Sequence, residues 1–175
     1  MALYLIEVAT GALRRADVDA VVARVDAVVA ADGGSLVESQ VTGDLKRAFT
    51  IVEHGEGAAG RIGDALAGTP VEVEDVAEVR LVGADLDEVR AAASAAPGYL
   101  VEWDLPEGLT MDAYLARKRE KSPRYAQVPE VAFRRTYVRE DLDKCLCFYD
   151  APCADDVYRA REVVEAPVDR FHELA

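Results

Sequence analysis

Hydrophobic and polar positions along this 175-residue chain follow two periods, and the changes of period divide it into elements. Leu3 to Val8 is short and rich in β-forming residues, and predicts a strand. Val18, Val21, Val22, Val25, Val28 and Val29 then recur at spacings of three and four, which is one face of a helix opening near Ala16-Asp17. Valine is a modest helix former, so the period rather than the propensity carries that expectation. Asp32-Gly33-Gly34 ends the helix, with glycine available for a left-handed cap. Leu36 to Thr42 and Ala48 to Glu53 predict two strands joined by a turn at Gly43-Asp44. An Ala-rich helix is expected over Ala58 to Leu66, and a fourth strand within Val71 to Val82.

The pattern restarts at Tyr99. Tyr99-Leu100-Val101-Glu102-Trp103 mirrors Tyr4-Leu5-Ile6-Glu7-Val8. Thr110 can cap a helix running through Tyr114 and Leu115 towards Lys121, which Pro123 ends or kinks. Val131 to Val138 and Cys145 to Tyr149 read as strands around a turn at Arg139-Glu140-Asp141. A helix opened by Pro152 follows, through Val157 and Val164, and then a closing strand over Val168 to Leu174. The order β-α-β-β-α-β thus occurs twice, and it is that of the ferredoxin-like unit.

The expected fold is therefore α+β, with two tandem ferredoxin-like βαββαβ repeats. The first repeat covers residues 1–83 and the second 99–175. Residues 84–98 connect them, with a helix expected through Val89 and Ala93. Alternation puts Leu146 and Phe148 on one face of their strand and Cys145, Cys147 and Tyr149 on the other. Both sets are substantially apolar, so each sheet needs a second layer beyond its own helices. We expect the repeats to pack sheet to sheet as an internal pseudo-dimer, with any cavity between the sheets. Because that pairing satisfies the usual sheet contact, a monomer is expected.

Charge narrows the functional classes. The formal net charge is −13, and such a field repels a polyanion, so nucleic-acid partners are not expected. The basic run from Arg117-Lys118-Arg119 to Arg124 reads as the solvated end of a helix, where cations complement the dipole. No stretch approaches the ~20 apolar residues of a membrane span, and the N-terminus lacks the pattern of a signal peptide. Cys145, Cys147 and Cys153 make an odd count, expected as reduced thiols in the cytoplasm. The Ala, Val, Arg and Asp richness suggests a bacterial source.

Several residues could carry chemistry. His54 is the candidate metal ligand, in company with carboxylates such as Glu7, Glu53 or Glu56. Cys145 and Cys147 stand about 6.6 Å apart on one strand face and read as buried small hydrophobes. Cys153 follows Pro152 at a helix start, where the backbone dipole favours a reactive thiol. Glu7 and Glu102 hold equivalent strand positions, and burial would raise either towards the range of a general base. Glu102 as base, with Arg135 and Tyr137 as polar anchors, forms the candidate catalytic set. Glu7, Trp103 and Tyr149 are candidate ligand contacts. Gly55-Glu56-Gly57-Ala58-Ala59-Gly60 has a dinucleotide-like glycine spacing in an antiparallel setting that does not suit that role.

Arg135-Thr136-Tyr137-Val138-Arg139-Glu140-Asp141, then Lys144-Cys145-Leu146-Cys147-Phe148-Tyr149-Asp150-Ala151-Pro152, and later Ala166-Pro167-Val168-Asp169-Arg170-Phe171-His172-Glu173 form a recognisable series. Over residues 99–174 it resembles the bacterial nickel-binding-protein-like family. The resemblance implies a ferredoxin-like domain and, in the branch associated with nickel, histidines after the first strand and in the second helix. Trp103 and Arg161 stand nearest those places here. The expected function is binding of a small ligand or a divalent metal such as nickel. The alternatives are a cofactor-free enzyme acting on a small organic metabolite, and a structural or regulatory interaction module.

Overall fold

The computed structural model describes residues 1–12, 14–92 and 97–175. Its elements run β1 (Ala2–Ala9), α1 (Arg15–Ala31), β2 (Ser35–Val41), β3 (Arg47–His54), α2 (Ala59–Ala67) and β4 (Glu72–Val82). After α3 (Leu86–Ala91) come β5 (Tyr99–Asp104), α4 (Met111–Lys121), a 3₁₀ turn (Ser122–Gln127), β6 (Ala132–Arg139), β7 (Lys144–Asp150), α5 (Ala154–Val163) and β8 (Arg170–Glu173). The protein is a mixed α+β chain with eight strands and five α-helices among the described residues. The chain forms two units. The first holds Met1–Val79, α3 and Leu174–Ala175, and the second holds Arg80–Ala84 and Pro97–Glu173.

In the first unit the strands run β2-β3-β1-β4, antiparallel throughout. The valine stripe buries Val18, Val25 and Val29 of α1 against Tyr4, Ile6, Val8 and Val52. Gly33, at φ +85°, ends the helix in the left-handed region, as glycine readily does. Gly34 is required for a different reason: a Cβ there would stand 2.4 Å from His54 Cδ2 and 2.9 Å from the Glu53 carbonyl. The expected connector helix is α3, opened by an Asp85–Glu88 capping box. Ala93 lies outside the described residues.

The second unit repeats the arrangement as β6-β7-β5-β8. The hairpin turns match in detail: Leu45 and Leu142 hold positive φ angles of 62° and 60° at equivalent places. Thr110 accepts a hydrogen bond from the Ala113 N–H and caps α4, and Pro123 sits in the first turn of the 3₁₀ turn that extends it. Register assigns the faces. Val101, Trp103, Cys145, Cys147, Tyr149 and Val138 join the core beneath α4 and α5. Leu100, Glu102, Leu146, Phe148, Arg135 and Tyr137 form the opposite face, and they too are buried.

Candidate functional site

Four basic side chains converge where α4 and α5 cross the helix-side face of the second unit's sheet. Tyr114, Arg117, Lys118 and Lys121 follow one another on α4 at helical spacing, so they share a face. Together with Arg161 of α5 and with Trp103, Tyr125 and Cys147 they line a pocket of ≈ 40 Å³, room for about three water molecules. The expectation that the basic run is merely a solvated helix end needs correction. Arg117, Lys118, Lys121 and Arg124 are all partly buried, and only Arg119 of the run is exposed.

The pocket is built around Arg161, which is 3% exposed. Its guanidinium donates to the Pro167 carbonyl at 2.6 Å, to the Tyr149 hydroxyl at 3.1 Å and to Cys147 Sγ at 3.4 Å. It also lies over the Trp103 indole, 5.8 Å from the ring centroid. Its buried Nε has no protein partner. The Tyr149 hydroxyl in turn meets that of Tyr125 at 2.7 Å. Arg117 covers Trp103 from another side, 5.7 Å from the centroid. Lys118 donates to Thr136 Oγ1 at 3.0 Å and sits over Phe133.

The rim is held by Glu165, in the left-handed region just past α5 (φ 55°). It pairs with Lys121 at 2.7 Å and Arg124 at 2.9 Å, while its carbonyl accepts from Arg117. Hydrogen bonds from Lys121 and Arg124 hold its carboxyl down at about 2.

The sulfurs respond to the same charges. The contact with Cys145 and the nearby cations Arg161 and Lys118 outweigh burial and hold the Cys147 thiol well below its usual range. The same contact, with burial, pushes Cys145 well above it. Burial likewise raises Tyr149, and raises Tyr125 to about 12. Hydroxyl and cation character therefore dominate the pocket wall.

The residues proposed from the sequence fall on two sides of the sheet. Trp103 and Tyr149 reach the pocket region, whereas Glu102, Arg135 and Tyr137 lie on the opposite face. Glu102 is fully buried and accepts from Lys144 at 2.7 Å, His172 at 2.8 Å and Arg170 at 3.0 Å. The expected upward shift is overturned. Burial alone would raise this carboxyl, but the hydrogen bonds from His172 and Lys144, with the charges of Lys144 and Arg170, hold it at about 2. Arg135 lies over Phe148 at 5.0 Å, and Tyr137 meets the same ring edge-on at 6.0 Å.

In the first unit Glu7 pairs with Arg47 at 2.9 Å. His54 is buried, and its Nδ1 accepts the Gly55 N–H at 2.8 Å. Its Nε2 stands 3.2 Å from Asp32 Oδ2, with Arg61 on the same carboxylate at 3.6 Å. Cys153 is exposed at the N-terminus of α5, where its thiol donates to Asp156 at 3.3 Å.

These donors do not fit a divalent cation. Nickel takes imidazole, carboxylate or thiolate groups in company. His54 has one nitrogen engaged and faces an Arg61–Asp32 pair, and His172 is tied to a carboxylate already shared with two cations. No three His, Cys, Asp or Glu side chains gather in a metal-holding group among the described residues. No helix among them is long and apolar enough to cross a membrane.

Residues 99–174 match the model of a family described as nickel responsive protein SCO4226-like. The crystal structure of SCO4226 from Streptomyces coelicolor A3(2) is similar over 43% of this chain and 91% of its own, at 19% identity and a TM-score of 0.38. A mutant chlorite dismutase from Candidatus Nitrospira defluvii spans 100% of this chain and 92% of its own, at 12% identity and a TM-score of 0.54. TA0507, a candidate chlorite dismutase, spans 100% and 95%, at 13% identity and a TM-score of 0.57. At such identities the likeness is one of fold. No curated protein matches the chain.

Proposed function

We propose, from a second unit that is SCO4226-like over residues 99–174, that the chain is a binding protein for a small anion. The anion would be an oxyanion or short carboxylate, held in the pocket beneath α4 and α5. One observation carries this reading. Arg117, Lys118, Lys121 and Arg161 line a single small pocket on a chain of net charge −13. Placing cations together partly out of water is costly unless a counter-charge offsets it, and an anion supplies one. Arg161, a fixed cation of the pocket lining, suits such a ligand. The size fits a species of about four or five heavy atoms, by the room for about three waters.

Trp103 and Arg161 give the reading its relation to the nickel-associated resemblance. They stand nearest the places where that branch has histidines, and they meet across the pocket. Exchanging an imidazole for a guanidinium turns a cation ligand into an anion donor. The nickel expectation for this chain is therefore replaced, in this proposal, by an anion at the corresponding place. Binding of inorganic phosphate and of acetate at low ionic strength, by calorimetry, tests it. Uptake that weakens in Lys118→Met supports the reading, and no uptake of either anion refutes it.

An enzyme using Glu102 as base is less favoured, because a carboxylate held at about 2 by hydrogen bonds from His172 and Lys144 and by the charges of Lys144 and Arg170 is a weak proton acceptor. The pairing of the repeats as an internal pseudo-dimer, a monomeric chain and a cytoplasmic setting that keeps the thiols reduced belong to the same proposal. Sedimentation tests the second of these.

A further inference from the structure

Cys147 combines three features that Cys153 lacks: it lines a pocket, it faces cations, and it has a second thiol at hand. Cys147 forms part of the pocket lining while being only 2% exposed. Arg161 Nη1 donates to it at 3.4 Å. Thr136 Oγ1 lies at 3.2 Å, and the direction of that bond is fixed by Lys118. An ammonium group has no acceptor, so the Thr136 oxygen accepts from Lys118 and turns its own hydrogen towards the sulfur. Cys145 Sγ stands 3.9 Å away on the same strand face. Cys153, by contrast, donates its hydrogen to Asp156, one of the two acidic residues of the first helical turn.

We propose that Cys147 is a site of reversible oxidation by a small hydroperoxide admitted through the pocket, with Cys145 as the resolving thiol. This uses the same pocket but does not depend on the pocket's taking an anion. In the first step the Cys147 thiolate attacks the distal peroxide oxygen. An S–O bond forms and the O–O bond breaks. The alkoxide leaves and is protonated to an alcohol, or to water from hydrogen peroxide. The sulfur loses two electrons to the peroxide and becomes a sulfenic acid. Donors around the sulfur favour the attacking anion, and Arg161 can also stabilise charge on the leaving oxygen.

In the second step the Cys145 sulfur attacks Cys147. A disulfide forms and water departs, carrying the hydroxyl of the sulfenic acid and the thiol proton of Cys145. The backbone spacing of two strand neighbours, about 6.6 Å, lies at the upper end of what a disulfide spans. Such a bond is strained and readily reduced, which makes the modification reversible.

Hydrogen peroxide is the probe, applied to the folded full chain with mapping by peptide mass. In the Cys153→Ser variant the expected product is a Cys145–Cys147 disulfide. In Cys145→Ser with Cys153→Ser, the sulfenic acid at Cys147 should persist and be captured by dimedone. Lys118→Met should slow that capture by about tenfold, as the thiolate loses support. Oxidation at Cys153 alone in the wild-type chain would overturn the proposal, as would oxidation of Cys147 only after unfolding in urea. Cys147 oxidation that inorganic phosphate leaves unchanged would uphold this site and count against the anion reading alone.

Discussion

The guanidinium of Arg161 lies over the indole of Trp103, 5.8 Å from the ring centroid, and donates at its other edge to Tyr149 and Cys147. One arginine thereby joins β5, β7 and the last turn of α5 into a single polar wall. A side chain so placed has both a structural and a binding role, and the two can be separated. We expect Arg161→Met to lower stability by about 2–4 kcal/mol, because buried hydrogen-bond partners lose their donor. Urea unfolding measures this. Lys118→Met should remain close to wild type in the same experiment, while both variants lose anion affinity.

Nickel provides an independent check. We expect the chain incubated with nickel and freed of excess to retain less than one ion in ten molecules by elemental analysis, since a shared set of donors is what nickel affinity requires. His54→Ala should not change that figure. It should lower stability by about 1–3 kcal/mol, through the lost packing against Gly34 and the lost Gly55 hydrogen bond. Stoichiometric nickel that disappears with His54→Ala would reverse this assignment.

Glu102 should govern part of the acid stability. Its carboxyl is held at about 2, below its ordinary 4.5. A depressed carboxyl adds stability that is fully present above the unfolded value and lost as pH falls through the folded one. The window is therefore pH 4.5 down to about 2, and the contribution is on the order of 3 kcal/mol. Glu102→Gln should flatten that part of the profile. It should also destabilise at neutral pH by about 3–5 kcal/mol, since Lys144 and Arg170 lose their buried counter-charge. Urea midpoints across this pH range test both statements.

Glu165 acts on the pocket from its rim. The Glu165 carboxylate is itself exposed, although Lys121 and Arg124 are partly buried, so Glu165→Gln should leave the urea midpoint close to that of the wild type. Removing the competing carboxylate should instead tighten anion binding by about two- to fivefold at low salt, an advantage that fades as salt screens it. Calorimetry at two ionic strengths distinguishes this from a change in folding.

The sequence was informative where one periodicity decided the outcome. The valine stripe of α1, the alternation of β7 and the Thr110 cap are local properties, and each stands close to its expected place. Register follows from alternation as well, which is why Cys145, Cys147 and Tyr149 could be assigned to one face. The pocket was harder to see because its parts come from separate elements. The spacing of Tyr114, Arg117, Lys118 and Lys121 contains the signal of a shared basic face. Spacing says that residues share a face, however, and not which neighbour that face meets.

Glu102 illustrates a second limit. Alternation along β5 gives its face but not its burial, and the sign of its shift depends on Lys144, Arg170 and His172, drawn from strands on either side. In the sequence Arg161 stands out only as a departure from a histidine pattern. Its significance comes from Trp103, Cys147 and Tyr149 meeting it in space.

The most direct test of the account is calorimetric titration of the wild-type chain and of Lys118→Met with inorganic phosphate and acetate at low ionic strength. The account predicts one site per chain for at least one of these anions in wild type, weakened about tenfold or more by the loss of Lys118. Absence of binding to the wild type, or equal binding by both proteins, would contradict it.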